Sequence, residues 1–146
     1  MLPRWHIFWG AVFTVIIGFI SSGINLIYLG LIFLASFLID FDHYLCGATK
    51  IKSWNLFHNF EYHKKMGKIQ KAERDKNIRR RGDFHLFHTI EFHALIGILG
   101  IFWIPLFYVF IGMIFHSLLD LFYLLHKDYL YRREFFFFNW LAKRFD

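Results

Sequence analysis

The sequence predicts an all-α integral membrane bundle of four transmembrane helices, with a cytoplasmic basic loop and an interfacial C-terminal helix. Three observations carry that prediction. Of 146 residues, 57% are hydrophobic and 23% aromatic, more apolar material than one soluble domain of this size can bury. Lys, Arg, Asp and Glu are absent from two long stretches, residues 5–39 and 92–119. The basic side chains outside those stretches follow a one-sided pattern.

A membrane-crossing helix needs about 20 mostly apolar residues, so the 35-residue first stretch suits a hairpin of two spans rather than one. Ser21, Ser22 and Gly23 mark its turn, which puts the spans at about residues 5–22 and 24–40. The second apolar region breaks at Trp103, Ile104 and Pro105, where proline starts a new helix, giving spans at about residues 88–104 and 105–126. Arg4 before an apolar run also fits a cleaved signal peptide, but the run lacks a small-residue cleavage site and flows into a second span. Cys46 is the only cysteine, so an intramolecular disulfide is excluded.

Arg4 precedes the first span, eleven Lys or Arg fall between Lys50 and Arg81, five fall between Lys127 and Arg144, and neither hairpin turn carries any. The positive-inside rule then makes both termini and the central loop, residues 44–84, cytoplasmic, and a plasma (inner) membrane is the expected location. The end of the second span, the start of the third and the end of the fourth meet at that face. Nine basic residues that begin at Lys64 and end at Arg81 make the loop's second half either a solvated arm or a contact with anionic lipid. Aromatics are not interleaved with them, so no nucleic-acid partner is expected. The tail, residues 129–146, mixes Phe, Trp, Arg and Lys and reads as an interfacial anchor, too short and charged for a fifth span.

Histidines and acids crowd the meeting face. His116 and Asp120 are one helical turn apart, so they can bind one ion together or Asp120 can orient the His116 ring. A structural interhelical hydrogen bond is the alternative, although ionisable residues in spans are functional candidates by default. Asp40 and His43 share a helical face while Asp42 points elsewhere. His85, His88 and Glu91 repeat every third residue, whereas His88 and His93 lie about 140° apart on a regular helix. For those two to share a site, His88 must precede the regular helix. The Phe-His-x-x-Glu-aromatic-His pattern occurs at Phe57 and again at Phe87, so His58, Glu61 and His63 are either a duplicated ligand set or a coincidence.

The segments LIDFDH, HTIEFHALIG and GMIFHSLLD, in that order, resemble the YdjM-like family of inner-membrane metal-dependent hydrolases. That family carries Pro-Asp-Ile-Asp-His after an apolar span, His-Arg-Gly-Phe-Thr-His-Ser next, and Gly-Tyr-x-Ser-His-x-x-x-Asp in a later span. The resemblance implies Asp40, Asp42, His43, His88, His93, His116 and Asp120 as metal ligands, with His85, His58 and His63 as further candidates from the chain itself. Thr89, Ile90 and Glu91 replace the family's Arg-Gly-Phe, and Ile39 stands where its proline falls. A remoter similarity to zinc-dependent phospholipase C and single-strand nucleases points to phosphoester chemistry.

The expected function is a metal-dependent hydrolase at the cytoplasmic lipid interface, with zinc first and manganese or iron as alternatives. Membrane lipid is the expected partner and a lipid phosphoester the preferred substrate class. Glu91 is the expected proton acceptor if it is not a ligand. Three rivals stay open: a histidine-box di-iron oxidase or desaturase, although the chain has no His-His pair; a metal transporter or sensor; and a non-catalytic metal-binding protein.

Overall fold

The computed structural model describes residues 3–145, and every regular element among them is helical. The helices are α1 (Pro3–Ile20), α2 (Leu26–Leu38), α3 (Phe41–Ile51), α4 (Leu56–Asp75), α5 (Ile90–Phe102), α6 (Ile104–His126) and α7 (Phe137–Phe145). Single 3₁₀ turns at Leu86–His88 and Leu130–Arg132 complete the list.

Local chemistry sets the boundaries. Gly23 turns between α1 and α2 at φ +106°, a conformation that L side chains rarely adopt. The Asn25 side chain then accepts the Ile27 N–H at 2.9 Å and starts α2. Asn55 caps α4 through the Phe57 N–H at 2.9 Å, and Thr89 caps α5 through the Phe92 N–H at 3.3 Å. Extended backbone at Trp103 separates α5 from α6, whose first turn holds Pro105.

Three segments are long and apolar enough to cross a membrane: Pro3–Ile20, Leu26–Ile51 and Ile104–His126. The second of these runs past the expected boundary near residue 40. After a break at Ile39 and Asp40, α3 continues to Ile51, so the apolar segment is 26 residues long and the Asp-His motif lies within it. The expected third span is the 13-residue α5, about 20 Å of helix at 1.5 Å per residue, shorter than the roughly 30 Å hydrocarbon thickness. The central region is also more ordered than a loop, because α4 spans 20 residues of it.

The interior is polar and the outside is apolar. Among the described residues, four hydrophobic side chains are buried (Ile32, Ile39, Ala48 and Met113), whereas His6, Asp42, His88, His116 and Asp120 are all within the buried set. Phe19, Leu26 and Phe102 are each more than 80% exposed. A water-soluble domain has the opposite arrangement, so lipid is the medium in which these helices can bury their apolar surface.

Helix α6 packs on α2 and α5, and α1 lies against α2. Small residues let the backbones approach. A Cβ at Gly112 of α6 would collide with the Ile32 carbonyl oxygen of α2 and meet Ala35 Cβ at 2.8 Å. At Gly10 of α1 it would collide with the Ser36 hydroxyl. A backbone oxygen cannot swing aside as a flexible side chain can. Gly112→Val is therefore expected to destabilise the fold by about 1–3 kcal/mol, seen as a lower thermal midpoint in detergent. Gly30→Ala, where nothing stands within 4 Å of the added carbon, is the matched control and does not lower it.

Candidate metal centre

Four chain segments deliver the polar groups. Asp40 sits at the break between α2 and α3, and Asp42 and His43 occupy the first turn of α3. His88 ends the 3₁₀ turn that precedes α5, so it stands outside the regular helix. His116 and Asp120 project from one face of α6, and His6 comes from the first turns of α1.

The tightest set is His88 Nε2, His116 Nε2 and Asp40 Oδ1. The two nitrogens are 3.1 Å apart, and each lies 3.5 Å from the Asp40 oxygen. A four-coordinate ion with bonds of 2.0–2.1 Å separates its ligand atoms by about 3.3 Å. The triangle thus has the edges of one face of such a tetrahedron. Asp120 Oδ2 lies 3.9 Å from both ring nitrogens, and His43 Nε2 lies 3.6 Å from Asp40 Oδ1.

The outer nitrogens decide what the inner ones can do. His116 Nδ1–H donates to the Ser36 carbonyl oxygen at 2.9 Å, and His88 Nδ1–H donates to Asp42 Oδ2 at 3.2 Å. With these tautomers, assigned from the hydrogen bonds, both Nε2 atoms present lone pairs to each other. Two acceptors at 3.1 Å repel unless a proton or metal cation stands between them. Asp42 stands behind the His88 ring, on the side away from His116. A carboxylate behind the imidazole raises its basicity as a ligand.

His6 completes this group. Its ring is fully buried, stacks on His116 with centroids 4.0 Å apart, and brings Nε2 to 3.2 Å from Asp120 Oδ1 and 3.9 Å from Asp40 Oδ2. Neither ring nitrogen reaches hydrogen-bond alignment with a partner among the described residues. With Nε2 beside the Asp120 carboxylate, the buried Nδ1 is the nitrogen left without a polar partner among the described residues, a cost that water, a proton or a cation can relieve. Arg133 holds the other Asp120 oxygen through a short charge-assisted hydrogen bond.

A second group adjoins the first. Asp42, His43 and His85 bring one donor atom each within 4.8 Å of one another. Asp42 Oδ1 and His85 Nδ1 are buried without hydrogen-bond partners among the described residues and lie 3.8 Å apart. Burial pushes the His85 pKa down to about 4, which leaves the ring neutral and able to donate a lone pair near pH 7. The donor types and spacing allow three overlapping groups to hold a metal ion: Asp40, His43, His88 and Asp120; His6, Asp40 and His116; and Asp42, His43 and His85.

Other candidates lie outside these groups. His93 Nδ1–H donates to the Thr89 carbonyl at 2.9 Å, and its Nε2 pairs with the Ser117 hydroxyl at 2.8 Å, so both nitrogens are occupied. Although His88 does precede the regular helix, the first turn of α5 directs His93 toward Ser117 instead. Glu91 accepts the Phe137 and Phe138 N–H groups at 2.9 and 3.3 Å, which assigns it to the start of α7 rather than to the clustered ligands. His58 pairs with Ser53 at 3.1 Å on the surface of α4. His63 Nε2–H donates to the His43 carbonyl at 3.2 Å, a support for the site rather than a member of it. His6 was missed by sequence reasoning, and its signal was its position as the one imidazole in the first apolar stretch.

Comparison of the chain with protein-family models, curated proteins and solved structures returns no match.

Metal affinity separates the roles just described. His6→Ala and His116→Ala are expected to release the ion at chelator concentrations that leave the unmodified protein loaded. Asp42→Asn weakens retention by about 10–100-fold, the usual effect of losing the group behind a ligand. His93→Ala keeps its ion. Elemental analysis after dialysis against graded chelator reads all four, and a His93→Ala protein as depleted as His116→Ala would sink this assignment.

Proposed function

We propose that the chain is a membrane-embedded hydrolase that uses a divalent ion, zinc first, to cleave a phosphoester or lipid substrate at the cytoplasmic interface. The observation that carries this reading is the convergence of His88, His116 and Asp40 with their outer nitrogens already committed. Imidazoles accompanied by carboxylates at tetrahedral spacing favour zinc over calcium or magnesium. When bound, such an ion acts as a Lewis acid on a phosphoryl or acyl oxygen and lowers the pKa of its water toward about 7. The partial resemblance to the YdjM-like family agrees with this chemistry.

The chain's own groups have separate tasks. His88, His116 and Asp40 hold the ion, with His6 and Asp120 completing its surroundings. Asp42 and the Ser36 carbonyl keep the ring lone pairs aimed inward. His43 takes the role of proton acceptor expected of Glu91, because its side chain is one-third exposed and its Nε2 lies beside Asp40. In the topology we favour, α5 and the turn before it make a fourth, short span, and both termini face the cytoplasm of a plasma-membrane protein. A substrate then keeps its acyl chains among the exposed apolar faces while its head group reaches the ion.

The test is metal content and hydrolysis measured on the same detergent-purified protein with short-chain phospholipids. His116→Ala is expected to lose both. His43→Gln is expected to keep the ion held by His88, His116 and Asp40 and to lose about 100-fold or more in kcat, the range of a missing proton acceptor. Iron in place of zinc, with an oxidised lipid product, would replace this reading by a di-iron oxidase.

A further inference from the structure

A cavity of ≈ 490 Å³ opens between Gly82, the Leu130–Arg132 turn and α7, and Arg133 in its lining also contacts Asp120. Five cations line it, Arg81, Arg132, Arg133, Lys143 and Arg144, against one lining carboxylate, Glu134. Glu134 is shared, accepting from Arg81 Nη1 at 2.9 Å and from Lys143 Nζ at 3.0 Å. Arg132 leans on Glu73 at 3.0 Å, Arg133 leans on Asp120, and Arg144 stands 5.5 Å over the Trp140 ring. Even counting those outside carboxylates, positive charge is in excess.

Two of these cations are held in buried positions at the back of the cavity wall. The Arg132 and Arg133 side chains are 8% and 10% exposed, yet Arg132 Nε and Arg133 Nη1 have no hydrogen-bond partner among the described residues. The accessible cations Arg81, Lys143 and Arg144 converge on the same opening with one lining carboxylate between them, and an oxyanion is the ligand whose several oxygens engage convergent cations together. The backbone holds Arg132 and Arg133 in place, since the Gly82 N–H donates to the Arg132 carbonyl at 2.8 Å. A Cβ at Gly82 would meet that same oxygen at 2.8 Å, so the cavity wall depends on a glycine.

We infer that this cavity is an oxyanion subsite for a phosphate monoester, placed so that Arg133 touches the ligand on one side and Asp120 of the metal centre on the other. The subsite deepens the proposed hydrolase by naming the charge class of its substrate, and it rests on that reading for its purpose but not for its binding. Phosphate monoesters carry up to two negative charges and several acceptor oxygens, which suits several convergent cations better than a zwitterionic head group does. The stacked Phe84 and Trp140 rings, 4.1 Å between centroids, add an apolar wall that a glycerol or acyl segment can follow.

The experiment is equilibrium dialysis of metal-loaded, detergent-purified protein against radiolabelled inorganic phosphate at fixed ionic strength, with metal content measured in parallel. The Lys143→Gln/Arg144→Gln double variant and Arg81→Gln touch none of the metal groups. Both are expected to keep the ion and to bind phosphate about tenfold or more weakly. Glu134→Gln removes the competing carboxylate and is expected to tighten binding severalfold, a gain that a misfolded protein cannot give. Unchanged phosphate binding in all three variants would place the phosphate on the metal alone and overturn the subsite. Competition with dihexanoyl phosphatidic acid and dihexanoyl phosphatidylcholine identifies the source. A lipid ligand makes the phosphatidic acid the strongest competitor, and a soluble ligand makes it no better than phosphate. Turnover is not read, so a protein that binds phosphate through these cations but hydrolyses nothing loses the proposed activity and keeps the subsite.

Discussion

Carboxylates and imidazoles packed inside a shell of exposed apolar side chains are the constraint around which this molecule is built. Asp120 is 3% exposed and His116 and His6 are fully buried, in helices whose outer faces carry Phe, Leu and Ile. Removing such groups from water is expensive, and the cost is recovered only where each finds a partner of the right sign and geometry. The helix contacts are arranged to supply those partners. Gly112 lets α6 approach the α2 backbone, and one turn further along α6 His116 reaches the Ser36 carbonyl. Gly10 lets α1 sit against Ser36 itself, which positions His6 over the His116 ring. Small residues at two helix crossings thus control the spacing of ligand atoms.

How far this was legible in the sequence follows from the range of each interaction. The helical class and the apolar segments were visible because charge exclusion over tens of residues is a property of the chain, readable without tertiary contacts. The breaks near Gly23 and Trp103 were visible for the same local reason. His116 and Asp120 were visible as a pair because four-residue spacing on a helix fixes their neighbourhood. His93 and Glu91 were harder, since both begin the same helix as the site but their direction depends on where its first turn starts. Thr89 caps α5, and the resulting phase turns His93 toward Ser117 and Glu91 toward α7. His6 was hidden because its role comes from α1 crossing α2, a contact that no spacing rule records. The continuation of α3 to Ile51 was masked by two aspartates, which read as a membrane boundary in sequence but are buried or half-buried among the clustered histidines.

The charge around Asp120 ties the metal groups to the tail. Asp120 faces His6 through one oxygen and Arg133 through the other, so its carboxylate is balanced before any ion is counted. Binding a divalent ion adds positive charge beside Arg133 in a medium that screens poorly. That repulsion can be relieved by an anion on the far side of the guanidinium, where Arg133 lines the same cavity as Arg81, Lys143 and Arg144. Metal and oxyanion should accordingly strengthen each other's binding, because each offsets the charge that the other introduces. The tail, whatever its contact with the membrane interface, places Arg133 against Asp120 and so supplies positive charge beside the clustered histidines and acids. Its Arg132 to Glu73 contact extends the same balance to α4, giving the central basic region a reason to fold back on the tail rather than spread over solvent.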